Sequence, residues 1–523
     1  MKAFLMYLDQ DFETAAKSPA NAAALVQDLE LETLLRAMGG EDEYLLGVAR
    51  KALLASLTDP LTIRYRQHIL TDCLEHPAVI RRAYALAVAA IEGERKIWGW
   101  TSLRRSADAT LHRSLEVMRL FLPMLRNLRG IAETEGASFK SSGFVQLWKM
   151  LSRELGESYL ETVEDHLQRL TFPQGMVISA ALGAGNRGTG YVLREPPAVL
   201  RWWERVREWQ EHWGEKRPEV YVYEVAERDE TGHQALADLQ RKGIARTAAA
   251  LARSAEHVLH FFAMLRAELG FYIGCLNLHE QLARRSLALC LPEALESTHL
   301  VLSTQGLYDI ALALKLPSGI VVNDVNADNK SLVMITGANR GGKSTLLRSI
   351  GQAHLMMQCG LFVPATALRA GVCRGLFTHY KREEDASMRS GKLDEELQRM
   401  SGIVDRIGPQ ALLLCNESFG STNEREGSEI ARQIVRALLE REVRVVYVTH
   451  LFELANSLYR SGMAGALFLR AQRLGDGRRT FRIDVGEPLP TSYGQDLYRK
   501  IFVADAQRAP REREAKRLIP ESG

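Results

Sequence analysis

The fold is decided by the stretch LVMITGANRGGKSTLL, residues 332–347. Its first four residues form a continuous apolar run, which is typical of a buried strand in a parallel sheet. The next part fits the pattern Gly-x-x-x-x-Gly-Lys-Ser/Thr, and a helical segment follows over residues 344–357. Glycines let backbone N–H groups turn toward phosphate oxygens, and the N-terminus of the following helix adds a favourable dipole. This stretch therefore predicts a strand, a phosphate-binding loop and a helix, rather than an incidental glycine-rich turn.

The side chains of this loop predict a site for ATP and Mg²⁺. Lys343 is expected to reach the β- and γ-phosphates, and the Ser344 hydroxyl is expected to ligate the metal ion. The other loop residues expected to bind the nucleotide are Gly337, Asn339, Gly341, Gly342 and Thr345.

Hydrolysis also needs polar groups at the ends of neighbouring strands. The apolar run 412–415 leads to Asn416 and Glu417. We expect Glu417 to be the catalytic base, the alternative being a solvated acid at a strand end. Asn416 stands where Asp is usual, so it can accept a hydrogen bond from a metal-bound water but adds no charge. His450 follows the strand-like run 443–448, and we expect it to sense the γ-phosphate, the alternative being a structural role.

The rest of the chain divides into two kinds of pattern. Residues 1–300 show mostly the three- and four-residue apolar spacing of helices, and residues 22–38 predict one such helix. A small insert containing strands is expected near residues 171–225. Short apolar runs and helical segments alternate over residues 301–510, and residues 511–523 form a charged tail. The predicted fold class is α + α/β, with a helical half before a P-loop α/β domain.

Composition excludes several classes of protein. Hydrophobic residues make up 46% and charged residues 25%, as in globular chains that bury real cores. The net charge is +3, so any DNA-binding surface has to be a local patch. The six cysteines form no Cys-x-x-Cys pair, which is typical of a reducing compartment. The N-terminus lacks the pattern of a secretory signal, and its apolar runs are shorter than a membrane span of about 20 residues. We therefore expect a cytoplasmic protein without a membrane segment.

Motifs in the C-terminal half resemble, in the same order, those of the MutS ATPase domain. The loop resembles the family's Thr-Gly-Pro-Asn-Met-Gly-Gly-Lys-Ser-Thr, and residues 360–365 match Gly-x-Phe-Val-Pro-Ala. The other similar segments are Val321 to Val325, Leu376 to His379, Asn416 to Gly427, Thr449 to Leu454, and Ser492-Tyr493-Gly494. The resemblance covers residues 301–510, whereas in the helical half it is one of architecture only.

This resemblance implies a DNA repair or recombination ATPase related to mismatch repair proteins. Such a protein dimerises through its ATPase domains and encloses DNA between helical arms that move with the nucleotide state. Its substrate would be duplex, mismatched or branched DNA, selected by structure rather than by sequence. Two alternatives stay open. The helical half could bind a protein instead of DNA, or the chain could be a nucleotide-binding clamp with little hydrolysis, as Asn416 suggests.

The sequence also departs from the family. The mismatch readers insert the Phe of a Phe-x-Glu motif beside a mispair, and no Phe-x-Glu occurs here. We therefore expect the mismatch-reading domain to be absent, and also the C-terminal Smr nuclease domain of some MutS paralogues. The family's Ser-Thr-Phe, which reaches the partner's nucleotide in the dimer, is replaced by Gly391-Lys392-Leu393. Ser390 or Lys392 is the candidate substitute.

Three weaker signals have structural alternatives. Residues 183–188 spell Gly-x-Gly-x-x-Gly, but a strand-like run follows instead of the helix that a dinucleotide site requires, which predicts a hairpin turn. One helix face carries Trp202, Val206, Trp209 and Trp213. That face predicts packing, with base stacking on DNA as the alternative. His257 and His260 lie three residues apart without an evident third ligand, so a surface or packing role is expected in preference to metal binding.

Overall fold

The structure is a computed structural model, and it describes residues 1–14, 18–101, 106–173, 175–195, 222, 224–382, 391–474 and 479–489. The helices in these ranges are α1 (Ala22–Asp28), α2 (Leu31–Gly39), α3 (Glu43–Ala55), α4 (Pro60–Glu75), α5 (Pro77–Thr101), α6 (Ala107–Glu135), α7 (Ser142–Glu154), α8 (Glu157–Arg169), α9 (Glu230–Ala283), α10 (Ile310–Lys315), α11 (Lys343–Gln358), α12 (Lys392–Val404), α13 (Glu424–Glu440) and α14 (Phe452–Arg460). The strands are β1 (Val177–Leu182), β2 (Gly188–Arg194), β3 (Glu293–Leu295), β4 (Leu302–Leu307), β5 (Asn323–Asn326), β6 (Leu332–Thr336), β7 (Ala367–Gly371), β8 (Leu376–Tyr380), β9 (Leu412–Asn416), β10 (Arg444–Val448), β11 (Ala466–Arg473) and β12 (Arg479–Val485). The predicted fold class, α + α/β, is confirmed.

The chain forms two compact units that do not follow the predicted boundary near residue 300. One contains residues 1–3 and 78–266, and the other contains residues 4–77 and 267–523. The early helices belong with the α/β unit because buried side chains bond them to α11 and the residue after it. The Gln352 amide donates to the Leu29 carbonyl at 2.9 Å, and the Gln358 amide donates to the Leu57 carbonyl at 2.9 Å. The Arg66 guanidinium donates to the Cys359 carbonyl at 3.3 Å.

The predicted helix over residues 22–38 is divided in the structure. Glu30, between α1 and α2, has a φ of 50°, which ends the first helix and starts the second in a new direction. The Glu30 carboxylate forms ion pairs with Arg348 and Lys315. The break thus turns a carboxylate toward basic side chains of the α/β unit, a contact that apolar spacing alone does not predict.

The central sheet of the larger unit has the strand order β12-β11-β6-β10-β9-β8. Strands β8 to β11 and β6 are parallel, and β12 is antiparallel to β11. The central strands β6 and β10 are buried along their whole length, as their continuous apolar runs predict. Val448 at the end of β10 lies opposite Ile335 of β6 and Asn416 of β9. The carboxyl ends of β6, β9 and β10 therefore meet at one edge of the sheet.

A second, four-stranded sheet in the same unit has the order β3-β7-β4-β5 and mixes parallel with antiparallel pairs. Sequence patterns do not predict this sheet, because its strands are short and only partly apolar. It connects to the central sheet through Asn323 on β5, whose side-chain oxygen accepts a hydrogen bond from the Ile483 N–H of β12 at 2.7 Å.

The smaller unit contains the predicted hairpin. Strands β1 and β2 pair antiparallel around the glycine-rich turn of residues 183–188, so this segment is a hairpin and not a dinucleotide-binding loop.

Helix α9 is long and apolar enough to cross a membrane by length and composition, but 78% of its most apolar window is buried inside the protein. That burial is typical of a core helix.

Candidate nucleotide-binding site

The glycine-rich loop between β6 and α11 is shaped by backbone conformations that suit glycine. Gly337 has a φ of 110° and Gly342 a φ of 92°. A Cβ atom on Gly337 would lie 2.9 Å from the backbone nitrogen of Ala471, and one on Gly341 would lie 2.8 Å from the Ala338 carbonyl oxygen. Both positions therefore exclude a side chain. The loop passes directly into α11, whose first-turn N–H groups have no partners within that helix.

Lys343, the first residue of α11, is buried and turned back over the loop. Its ammonium donates to the carbonyl oxygens of Gly337 and Ala338, each at 3.0 Å. Burial lowers the pKa of Lys343, and the negative charge of Glu417 partly opposes that change. Both hydrogen-bond acceptors are neutral, so the positive charge at the mouth of the loop is available to an anion.

Ser344 and Asn416 are brought together as the sequence suggests. The Ser344 hydroxyl donates to the side-chain oxygen of Asn416 at 2.9 Å. This bond uses the hydroxyl proton and leaves the lone pairs of the Ser344 oxygen available to a hard cation. Among the described residues, no group of three or more His, Cys, Asp or Glu side chains could hold a metal ion. The Ser344 hydroxyl and the side-chain oxygen of Asn416 fit Mg²⁺, which usually takes few protein ligands and keeps water and phosphate oxygens.

Glu417 and His450 face each other across the ends of β9 and β10. The His450 Nδ1 lies 3.8 Å from a carboxylate oxygen of Glu417, and both side chains are partly exposed. Glu417 has a φ of 55°, and its N–H donates to the Val448 carbonyl at 2.8 Å. The left-handed backbone at Glu417 follows the end of β9, and the charge of the Glu417 carboxylate acts on Lys343 at the glycine-rich loop.

The backbone on both sides of His450 is held by side chains. The Thr449 hydroxyl oxygen accepts from the Leu451 N–H at 2.9 Å, and the Glu424 carboxylate accepts from the Phe452 N–H at 2.8 Å. A cavity of about 210 Å³ opens beside Gly337 and His450. Of the predicted site residues, Gly337 after β6 and His450 after β10 line this cavity.

Buried polar residues beneath the Glu417 turn form a group that the sequence patterns do not predict. His379 on β8, Ser418 in the turn and Tyr447 on β10 are joined by hydrogen bonds. One feature of the sequence is relevant to this group. His379 stands where the similar family segment has Arg, but that difference by itself assigns no role to the residue.

The other predicted features are the tryptophan-bearing helix face, the candidate substitutes for the family's Ser-Thr-Phe, a histidine pair and the C-terminal segments. The tryptophan-bearing segment, Ser390, the segment Ser492-Tyr493-Gly494 and the tail of residues 511–523 fall outside the described residues. His257 bonds through Nδ1 to the Arg253 carbonyl of its own helix at 2.7 Å. Lys392 is the first residue of α12.

The fold and this site define a P-loop α/β protein, in which a glycine-rich loop joins a central parallel strand to a helix at the carboxyl edge of the sheet. Two family models match the chain: MutS2 N-terminal domain over residues 58–285, and MutS domain V over residues 333–501. The matched ranges together cover more than half of the sequence, and the chain belongs to the MutS family.

Individual relatives match over a short segment. The DNA mismatch repair protein MutS of Porphyromonas gingivalis is 32% identical over 139 residues, which is 26% of this chain and 16% of that protein. The protein of the same name from Thermotoga sp. (strain RQ2) is 33% identical over 141 residues, 27% of this chain and 18% of the relative. That from Oleidesulfovibrio alaskensis is 27% identical over 156 residues. The match thus spans less than a fifth of the length of these relatives.

Proposed function

We propose that this chain is a MutS-like ATPase that binds DNA. The observation that carries the proposal is the meeting of the glycine-rich loop, the Ser344–Asn416 hydrogen bond and the Glu417–His450 pair at one sheet edge. Hydrolysis of a phosphoanhydride needs these three elements, which are a cradle for phosphate oxygens, a place for a cation and a base near the terminal phosphate.

Each residue then has a definite part. Lys343 exchanges its two carbonyl partners for the β- and γ-phosphates of ATP, and the N–H groups of residues 337–345 surround the phosphate oxygens. Bound Mg²⁺ would offset charge on the phosphate oxygens, and Ser344 with Asn416 would hold it. Glu417 accepts a proton from the attacking water, and His450 donates to the γ-phosphate oxygen beside it.

The wider architecture of the proposal follows the family. Residues 301–510 would act as the ATPase domain, dimerising with a second copy and completing each nucleotide site. The helical region would bind duplex, mismatched or branched DNA and change position with the nucleotide state. Both family models support this part, because they match the helical region and the α/β region separately.

Changing Asn416 to Asp is expected to speed ATP hydrolysis by roughly ten-fold. Asp keeps the acceptor for the Ser344 hydroxyl and adds a negative charge beside the cation, which is worth about 1–2 kcal/mol. Steady-state phosphate release at saturating Mg-ATP measures the effect. A slower Asn416→Asp variant would mean that the amide is a working part of the site. In that case Asn416 would no longer be a reason to expect a clamp with little hydrolysis.

DNA binding is expected to be steeply salt-dependent. Proteins that contact about six phosphates lose roughly a thousand-fold in affinity between about 50 and 200 mM salt. Gel shifts against homoduplex, mismatched, looped and four-way-junction DNA, with and without ATP, measure both affinity and structural preference. The Lys343→Ala variant is the control, since its DNA binding should no longer respond to ATP. Absence of binding to all four DNAs at low salt would favour a protein partner for the helical region.

A further inference from the structure

The turn that carries Glu417 has an unusual backbone. Glu417 has a φ of 55° and Phe419 a φ of 62°, although neither is glycine. Side-chain-bearing residues rarely adopt this conformation, and it persists only where surrounding contacts hold it. Ser418 lies between the two and is fully buried, as is Phe419. The direction of the Glu417 carboxylate therefore depends on what holds Ser418.

Ser418 is held from two neighbouring strands. Its hydroxyl donates to the backbone carbonyl of His379 on β8 at 2.8 Å and lies 2.7 Å from the Nδ1 of the same residue. The Tyr447 hydroxyl on β10 donates to the Ser418 carbonyl at 2.8 Å. The His379 ring also stacks on Phe419, with 5.5 Å between the ring centres and 23° between the planes. The side chain of His379 thus contacts both Ser418 and Phe419.

The hydrogen-bond network assigns the proton on His379. The Nε2 lies 3.0 Å from the backbone carbonyl of Glu396, so Nε2 carries the proton and Nδ1 is an acceptor. Burial, together with the positive charge of Arg399, lowers the pKa of His379 to about 4, so the ring is neutral near pH 7. The single Ser418 proton is then shared between Nδ1 and the carbonyl of His379, which restricts rotation of the hydroxyl.

Glu396 connects this network to helix α12. Its backbone carbonyl accepts from His379, and its carboxylate accepts from the Ser421 hydroxyl at 2.9 Å. Glu396 is itself buried. One residue of α12 is therefore bonded to the strand beneath the Glu417 turn and to the chain that leaves the turn.

We propose that His379 is a positioning residue for hydrolysis. It sets the direction of the Glu417 carboxylate through Ser418, and it transmits movements of α12 to that carboxylate through Glu396. This inference rests on the proposed role of Glu417 as the base. The contacts that carry it are the His379–Ser418 and His379–Glu396 hydrogen bonds and the two left-handed residues that flank Ser418.

The test compares Ser418→Ala with Ser349→Ala, which removes a buried hydroxyl from α11 that bonds to the Thr345 carbonyl. Ser418→Ala is expected to lower kcat for ATP by roughly 10- to 100-fold, because a small misplacement of a reacting group has an effect of that order. The KM and the affinity for a fluorescent ATP analogue should stay within about two-fold. Ser349→Ala should leave kcat unchanged. A wild-type kcat in folded Ser418→Ala would overturn the proposal.

A second pair of variants separates the two ring nitrogens of His379. An Asn side chain places a polar atom near the Nδ1 position, and a Gln side chain places one near Nε2. His379→Asn can keep the bond to Ser418, so it should retain more of kcat than His379→Gln. Equal losses in both variants would contradict a role through Ser418.

Combining these changes with Glu417→Gln distinguishes positioning from general damage. If Ser418 acts through Glu417, adding Ser418→Ala to Glu417→Gln should lower the single-turnover rate by less than about two-fold further. An additional loss as large as in the wild-type background would overturn the inference. If Glu417→Gln alone hydrolyses ATP at the wild-type rate, the role of Glu417 as the base fails, and the inference fails with it for that separate reason.

Discussion

Replacing Lys343 by alanine is expected to weaken ATP binding by about 30- to 150-fold. The ammonium is buried at the mouth of the loop with only carbonyl partners, and hydrogen bonds to charged groups contribute roughly 2–3 kcal/mol. The fold should remain intact, since burial disfavours the lysine charge in the absence of an anion, as the lowered pKa of Lys343 indicates. Titration with a fluorescent ATP analogue measures the change in affinity.

Lys330→Ala provides a matched control. Lys330 also donates to a backbone carbonyl, that of Ala464 at 2.7 Å, but it precedes the other end of β6. Its removal should leave the affinity for the analogue within about two-fold. Circular dichroism confirms that both variants fold. Undiminished binding by folded Lys343→Ala would refute the assignment of the loop as the phosphate site.

Replacing Glu417 by glutamine is expected to lower the rate of phosphate release by roughly 100- to 10,000-fold, the usual effect of removing a general base. Glutamine keeps the shape of the side chain but cannot accept the proton of the attacking water. ATP binding should be retained, because the loop and the Ser344–Asn416 bond are unchanged. Rapid-quench measurement of a single turnover separates the lost chemical step from binding.

Glu429→Gln is the control, since Glu429 is an exposed acid on α13 that pairs with Arg432. It should hydrolyse ATP at the wild-type rate. The Glu417→Gln variant also tests assembly, because a protein that keeps ATP bound should accumulate as the dimer. Light scattering that finds monomer at every protein and nucleotide concentration would argue against a shared site. Full turnover by Glu417→Gln would require another base.

The strand, loop and helix start that form one side of the site could be predicted, because short sequence patterns specify them. The run 332–335, the loop glycines and the start of α11 are consecutive, and each depends on neighbours within a few residues. The polar residues at 416, 417 and 450 were predictable as a set, since parallel strands bring their carboxyl ends to one edge. Their roles in hydrolysis stay predictions.

Other features were not predictable because they depend on contacts between distant segments. Residues 4–77 belong with the α/β unit through side chains such as Arg66, which reaches Cys359. The helix break at Glu30 coincides with ion pairs to residues about 300 positions away. The strands of the second sheet are too short for a clear period.

The sequence by itself determined the class of the fold and the glycine-rich loop between β6 and α11, because apolar periodicity and glycine freedom act over a few residues. Only the tertiary structure decided that His379, Ser418 and Tyr447 form one network beneath Glu417. These residues lie on β8, after β9 and on β10, and their polar atoms meet because the sheet sets those strands side by side. A buried polar group needs a hydrogen-bonding partner, and which partner it finds is set by strand order and register rather than by the neighbouring residues in the chain.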